Sequence, residues 1–528
     1  MKNITDYTRC SGVLAHVTSL PSPFGIGDLG PDAYDFLRFL ADARQSIWQI
    51  LPLGPTHNAL SNSPYMTASA FGGNPLLISP QLLFEDGLLT KAEISEYPDL
   101  APYRVDFDTV IPLKGRLLKQ AFSRFKPEKF PEYEGFITET QWLMDYCMFM
   151  ALKNKYPDKA WYEWDTTLAQ RDTKAMAQMA ETEQEQIAYF RFEQFLFHQQ
   201  WSRLHAYAKE LHIQLFGDIP IYVSLDSADV WGAQEIFRLD RKTCQPTHVA
   251  GVPPDYFSKT GQKWGNPLYR WNNEDKHIRK QLLHWWTLRF KAIFEQVDIA
   301  RIDHFRGFQE YWAVPAHHKT ALKGEWLPGP GAGFFREIFA ELGKLQIVAE
   351  DLGEITEEVL ELRDELHFPG MRVLQFAFDG NIDNTFLPFN YETPNTFVYT
   401  GTHDNDTTVG WYMSDRIDDE IRQRTKRLAN RKIHDHHGIH HDLIYLAMSS
   451  TAVAAIFPLQ DILGFGSDCR MNTPGTHSKD NWTWRCSKEF LTPDISTWLQ
   501  ELTELCGRFK PHKEKKSTKT LKSGTTKS

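Results

Sequence analysis

Apolar residues along this chain fall into short continuous runs separated by longer amphipathic stretches. Val13–Leu20, Ile47–Gly54 and Gln214–Val223 read as buried strands, and a helix over Pro31–Ala43 follows the first of them, its proline suiting the first helical turn. Leu282, Trp286, Phe290, Ile293 and Val297 recur at helical spacing, so they share one face of a helix that leads directly into a strand at Ile299–Asp303. Further strands are predicted at Ile347–Glu350, Val373–Phe376, Phe397–Thr400 and Asp461–Phe465. Eight strands alternating with helices give the fold class: α/β, a (β/α)8 TIM barrel spanning residues 1–507, with large and mainly helical insertions. Two gaps are too long for ordinary βα loops. Residues 55–212 are expected to form an inserted, mainly helical subdomain after strand 2, and residues 224–275 a second insertion after strand 3.

Composition narrows the picture. The chain has 528 residues, 41% of them hydrophobic, enough for a large core. No apolar run approaches the roughly 20 residues that cross a bilayer, and the first residues lack a signal-peptide pattern, so no membrane partner is expected and the expected location is cytoplasmic. The net charge is −10, yet residues 508–528 hold eight Lys or Arg against one Glu. That segment reads as a basic disordered tail, and the remaining body is more acidic than the total, which argues against a nucleic-acid partner. Six cysteines without a CxxC pair read as reduced packing residues. Aromatic residues reach 13%, including 16 Trp, and some of them are expected to be platforms for the apolar faces of sugars.

Three predicted strands end on or shortly before acids: Asp303, Glu350 and Asp404. In a parallel barrel the C-terminal strand ends share one mouth, so acids far apart in sequence converge there. Paired carboxyls at such a mouth suit the chemistry of glycosidic bonds, one attacking the anomeric carbon while the other handles the proton. Two rival signals carry less. Gly25-Ile-Gly27-Asp-Leu-Gly30 fits GxGxxG, but the next strand ends in Leu-Pro-Leu-Gly and not near an acid that would hold a ribose, so the motif reads as a tight loop at the barrel mouth. His434, His436, His437, His440 and His441 lie among Arg431, Lys432, Asp435 and Gly438, which reads as a solvated loop and not a metal site.

The motifs resemble, in order along residues 10 to 505, those of the amylomaltase or disproportionating-enzyme family of 4-α-glucanotransferases, glycoside hydrolase family 77. They include Ser19–Pro31, Trp48–Pro55, Ser63-Pro-Tyr65, Gly217–Val223, Arg301–Phe308, Ala349–Gly353, Gly401–Thr407 and Arg470–Gly475. The resemblance implies transfer of an α-1,4-glucan segment to the 4-hydroxyl of another glucan or glucose, with retention. It implies Asp303 as nucleophile, Glu350 as acid/base and Asp404 as transition-state stabiliser. It also implies sugar contacts from Tyr65, Asp218, Arg301, His403 and Asn472, and from Asp255, Tyr256, Phe257, Gln262 and Trp264 on a loop over the cleft. Arg301, two residues before Asp303 on the same strand face, is expected to lower the pKa of the nucleophile. Asp351 and Asp406 are expected just outside the reacting groups. No cofactor or metal is expected, since double displacement needs neither; the partners are maltooligosaccharides or other α-1,4-glucans and glucose, and the chain is expected to be a monomer or weak homo-oligomer. Two departures stand out: His57–Asn62 lacks the tyrosine many members carry there, and Lys259 stands where an acid is common. The rivals are an α-amylase-type hydrolase on the same barrel and a catalytically silent glucan-binding protein.

Overall fold

The computed structural model describes residues 7–254, 259–429, 438–476 and 478–509. Twelve strands occur among them: β1 (Cys10–Leu14), β2 (Ile47–Gln49), β3 (Gln214–Pro220), β4 (His248–Val252), β5 (Gln262–Pro267), β6 (Ile299–Asp303), β7 (Glu310–Pro315), β8 (Glu325–Pro328), β9 (Ile347–Ala349), β10 (Gly370–Val373), β11 (Thr396–Tyr399) and β12 (Ala454–Pro458). Eight of them form one parallel sheet in the order β10-β11-β12-β1-β2-β3-β6-β9. Its two ends meet where the Ala349 amide donates to the Pro369 carbonyl at 2.9 Å, giving the (β/α)8 barrel. Strands buried on both sides are mostly apolar, as in β1 and β12, where all five residues of each are buried and Ser11 alone is polar.

The eighth barrel strand corrects the sequence reading. Asp461–Phe465 is not a strand: Leu459–Ile462 is a short helix, and β12 precedes it. Pro458, with a φ of −53°, ends the strand and caps that helix. Three other strands are shorter than the apolar runs predict. Val17–Ser19 and Leu374–Phe376 turn into 3-10 helix, and β2 stops at Gln49, because the runs continue into the loops that line the barrel mouth.

Residues 55–212 contain a series of helices ending in the 27-residue helix Gln184–Glu210. Phe190, Phe192, Phe195, Phe197 and Trp201 of that helix are buried, and its Trp201 donates to the Gln296 carbonyl at 2.9 Å while His205 meets Asp298 at 3.1 Å, just ahead of β6. The helix Lys276–Gln296 is capped by Asp275, which accepts from the His277 amide at 2.8 Å; Leu282, Trp286 and Phe290 are buried, whereas Val297 lies one residue past its end. Residues 224–275 contribute β4 and β5 to a second, antiparallel sheet of order β5-β4-β7-β8. Gln262 and Trp264 therefore sit on a strand and not on a loop.

The GxGxxG run packs against its own chain. A β-carbon on Gly27 would lie 1.9 Å from the Val17 carbonyl oxygen, so only glycine fits. Asp28 beside it accepts from the Gly30 amide at 2.9 Å and pairs with the buried Lys114 at 3.2 Å. At the far end, Arg508, read from composition as the start of the tail, is fully buried. Residues 510–528 lie outside the described residues.

Candidate active site

Strand register assembles the first half of the site. Asp218 on β3 stands beside Arg301 on β6, and Arg301 and Asp303 share a face of β6. The Arg301 guanidinium is 6% exposed and is held among three carboxylates: Asp218 Oδ2 at 2.7 Å, Asp303 Oδ1 at 2.9 Å and Glu350 Oε2 at 4.0 Å. The Tyr65 hydroxyl donates to the same Asp218 oxygen at 2.9 Å. Arginine suits this position because its planar fork serves several acceptors at once.

Glu350 follows β9 and is oriented by two backbone donors. The His304 amide reaches its Oε2 at 2.8 Å and the Leu352 amide its Oε1 at 3.0 Å. His304 has φ 52° and ψ 50°, a left-handed conformation uncommon for a residue other than glycine. Burial pushes the pKa of Glu350 up to about 7, with Asp303 adding to the rise and Arg301 and the two amides opposing it. Burial pushes Asp303 up to about 6, against the pull of Arg301 and with help from Asp218 and Asp404. The expected pull of Arg301 on the Asp303 pKa is present, but burial and two further acids outweigh it, so the net shift is upward. Glu350, at 12% side-chain exposure, is the weaker acid beside Asp303 at 31%.

Asp404 lies beyond β11 in a turn closed by Asn405, whose side chain accepts from the Thr402 amide at 2.9 Å. Its Oδ1 accepts from Asn472 Nδ2 at 2.6 Å and its Oδ2 lies 3.3 Å from His403 Nε2. Burial would raise its pKa, but His403, Asn472 and Arg301 together hold it well below the usual carboxylate range. Tyr65 stacks on His403 with ring centres 5.1 Å apart and planes 14° apart, joining the Asp404 side of the site to the Asp218 side. From β5, Trp264 meets the His304 ring edge-on at 4.9 Å, and its indole donates to Gln262 at 3.3 Å.

The pattern of residues 15–492 matches that of the 4-alpha-glucanotransferase family. The chain belongs to that family. A 4-alpha-glucanotransferase of Synechocystis sp. is 50% identical over 508 residues, covering 95% of this chain and 98% of its own, and one of Thermus thermophilus is 44% identical over 509 residues, covering 95% and 99%. The solved amylomaltase from Streptococcus agalactiae in complex with acarbose is 37% identical and superposes with a TM-score of 0.90, covering 95% of this chain and all of that one. The amylomaltase from Corynebacterium glutamicum, 17% identical, shares the fold with a TM-score of 0.74, over 95% of this chain and 75% of its own.

Within this 4-alpha-glucanotransferase fold, Asp303, Glu350, Asp218, Arg301, Tyr65, His403, Asp404 and Asn472 form one connected cluster, with Gln262 and Trp264 at its edge. Asp255, Tyr256 and Phe257 lie outside the described residues, as do His434, His436 and His437. Asp351 turns away from the mouth: it is buried against Arg363 at 2.6 Å and Arg372 at 3.2 Å and accepts from the Met371 amide. Asp406 accepts from Ser467 at 2.9 Å, and Arg470 donates to the Asp404 carbonyl at 2.6 Å. Among the described residues no three His, Cys, Asp or Glu side chains are grouped as a metal site requires. No helix among them is long and apolar enough to cross a membrane.

Two contributors escaped the sequence reading. His304 enters through its backbone, which leaves no trace in residue type. Trp482, with φ 66°, backs both Tyr65 and His403 at ring-centre distances of 5.8 and 6.0 Å. Its only sequence signal is proximity to Arg470–Gly475.

Proposed function

We propose that this chain transfers a segment of an α-1,4-glucan to the 4-hydroxyl of a second glucan or of glucose by double displacement, with retention. The observation that carries the proposal is the single Arg301 guanidinium reaching Asp303 and Glu350 together. One nitrogen, Nη2, contacts both, which supports the short carboxyl separation, roughly 5–5.5 Å, of a retaining pair.

Asp303, the stronger acid of the two, attacks the anomeric carbon. The glycosidic oxygen takes the proton of Glu350 and leaves with the reducing-end fragment. In the second half the acceptor 4-hydroxyl gives its proton to Glu350 and displaces Asp303 from the anomeric carbon. Asp404, kept ionised by His403 and Asn472, stabilises the positive charge that develops on the ring and holds its hydroxyls. The buried Asp218 Oδ1 accepts no hydrogen bond from the described residues and suits a sugar hydroxyl. One arginine among four acids leaves the site negative, which favours an oxocarbenium-like transition state over neutral substrate. Trp264 and Gln262 on β5 hold the acceptor side.

Incubation with maltotriose tests the reading. Transfer yields glucose and a ladder of longer oligomers at constant total reducing ends, whereas hydrolysis raises reducing ends without the ladder. Asp303→Asn should abolish both reactions, because it removes the nucleophile's charge at constant volume. An unchanged ladder in that variant would sink the assignment.

A further inference from the structure

β6 is followed by a residue whose backbone conformation its own side chain disfavours. At His304 the chain leaves the strand through the left-handed region, and this turn aims the amide N–H at Glu350 Oε2, 2.8 Å away. A residue continuing the strand would direct that amide at a neighbouring strand. The imidazole is held on three sides. Trp264 of β5 stands edge-on at 4.9 Å and Tyr222, just beyond β3, lies at 6.5 Å. On the third side, a β-carbon at residue 307 would lie 3.3 Å from the ring and 2.8 Å from Ile221, so glycine there leaves the room the ring occupies. Burial, with Arg306 adding, pulls the imidazole pKa down to about 3, so the ring is neutral and acts through packing, not charge.

We propose that His304 is a positioning residue: its ring, seated against Trp264, holds the strained turn and so keeps the backbone N–H on Glu350, tying the acceptor-side strand β5 to the group that moves the proton. This rests on the reading of Glu350 as acid/base. The charged and donating groups facing Glu350 among the described residues are Arg301 and Asp303 on β6 and the amides of His304 and Leu352. An amide bonded to a carboxylate favours its ionised form, so loss of the His304 bond moves the alkaline limb of the kcat profile to higher pH.

The test compares His304→Ala with His304→Gly. Alanine loses the seat but keeps the cost of a left-handed backbone, whereas glycine adopts that backbone freely. His304→Ala should lower kcat at least tenfold and shift the alkaline limb upward, with KM for maltotriose changed less than about threefold, and His304→Gly should recover most of both losses. Equal defects in the two variants with the limb unmoved would mean that the ring acts on sugar directly, and would overturn the proposal. A second readout needs no His304 variant and no turnover. In 15N-histidine-labelled protein the His304 amide shift should titrate with Glu350, and Glu350→Gln should remove that titration. A flat His304 amide in the parent would overturn the proposal even if His304→Ala fails to fold. Survival of full transfer in Glu350→Gln would instead defeat the acid/base reading while leaving the amide titration to judge the contact.

Discussion

Arg301 shows how one residue sets the character of its neighbours. It lies among Asp218, Asp303 and Glu350, so each acid feels one shared cation and two competing anions. Burial then decides the direction, and both Asp303 and Glu350 bind protons more tightly than in an unfolded chain, where carboxylates titrate near 4. Between about pH 4 and pH 7 the folded state therefore holds more protons than the unfolded state, and stability falls as pH rises through that window. Asp303→Asn removes one of these partly buried charges and leaves Arg301 paired with Asp218. The variant should therefore exceed the parent in stability at pH 8 by roughly 1–2 kcal/mol, with the difference shrinking at pH 4–5. Calorimetric Tm values at the two pH extremes decide it, and a variant less stable than the parent at pH 8 would refute the electrostatic account. At this scale the sequence was informative about identity: Asp303, Glu350, Asp404, Tyr65 and Asn472 were all named from their motifs. It was blind to the direction of the Asp303 shift, because Asp218 and Asp404 reach it from other strands and the degree of burial is a property of the assembled mouth.

Elements position those residues through their ends, and the ends were the hardest part to read. The run Ala452–Phe457 is apolar throughout, but alanine favours strand weakly, whereas Asp461–Phe465 offered isoleucine, leucine and phenylalanine. What makes Ala454–Pro458 the strand is its place between β1 and β11, where small side chains fit a crowded interior. Past β12 the chain doubles back through Arg470 and Asn472 to reach Asp404, then passes Trp482 in its left-handed turn, where the backbone amide donates to the Met471 carbonyl at 2.7 Å. Trp482→Phe keeps an aromatic ring behind Tyr65 and His403 and should alter kcat/KM less than about threefold. Trp482→Gly relaxes the backbone but removes the support, and should lower kcat/KM roughly 10- to 100-fold, since small displacements of positioning groups are expensive in rate. Steady-state kinetics on maltotriose separates these outcomes, and equal activity of the glycine variant and the parent would show that the stack needs no backing.

The two ends of the described chain meet at the face of the barrel opposite the site. Arg508 donates from Nε to the Met448 carbonyl and from its two terminal nitrogens to the carbonyls of Cys10, Ala452, Ala447 and Ser450. Arg9 reaches Met448, Ser450, Ala452 and Cys506 from the other side. These carbonyls include the end of the helix Ile439–Ser449, where acceptors lack intrahelical partners and the helix dipole favours a cation. Among the described residues no acid takes part in this clamp, so nothing in the charge pattern set Arg508 apart from the lysines that follow it, and composition assigned it to the tail. Arg9 shares three of the carbonyls, and Ala447 also accepts from the Ser450 amide and hydroxyl, so Arg508 adds a charged donor to acceptors that largely have others. A chain ending at Phe509 should therefore keep the Tm of the full chain within about 1–2 °C. A chain ending at Gly507 should lose about 1.5–3 kcal/mol, the worth of a hydrogen bond to a charged group. Arg508→Lys should lose nearly as much, because a single ammonium cannot serve carbonyls spread over three elements. Transfer activity per folded molecule should remain that of the parent in all three, since β1 and β12 separate the clamp from the mouth by their full length. Identical Tm values for the chains ending at Phe509 and Gly507 would show that Arg9 alone closes the barrel.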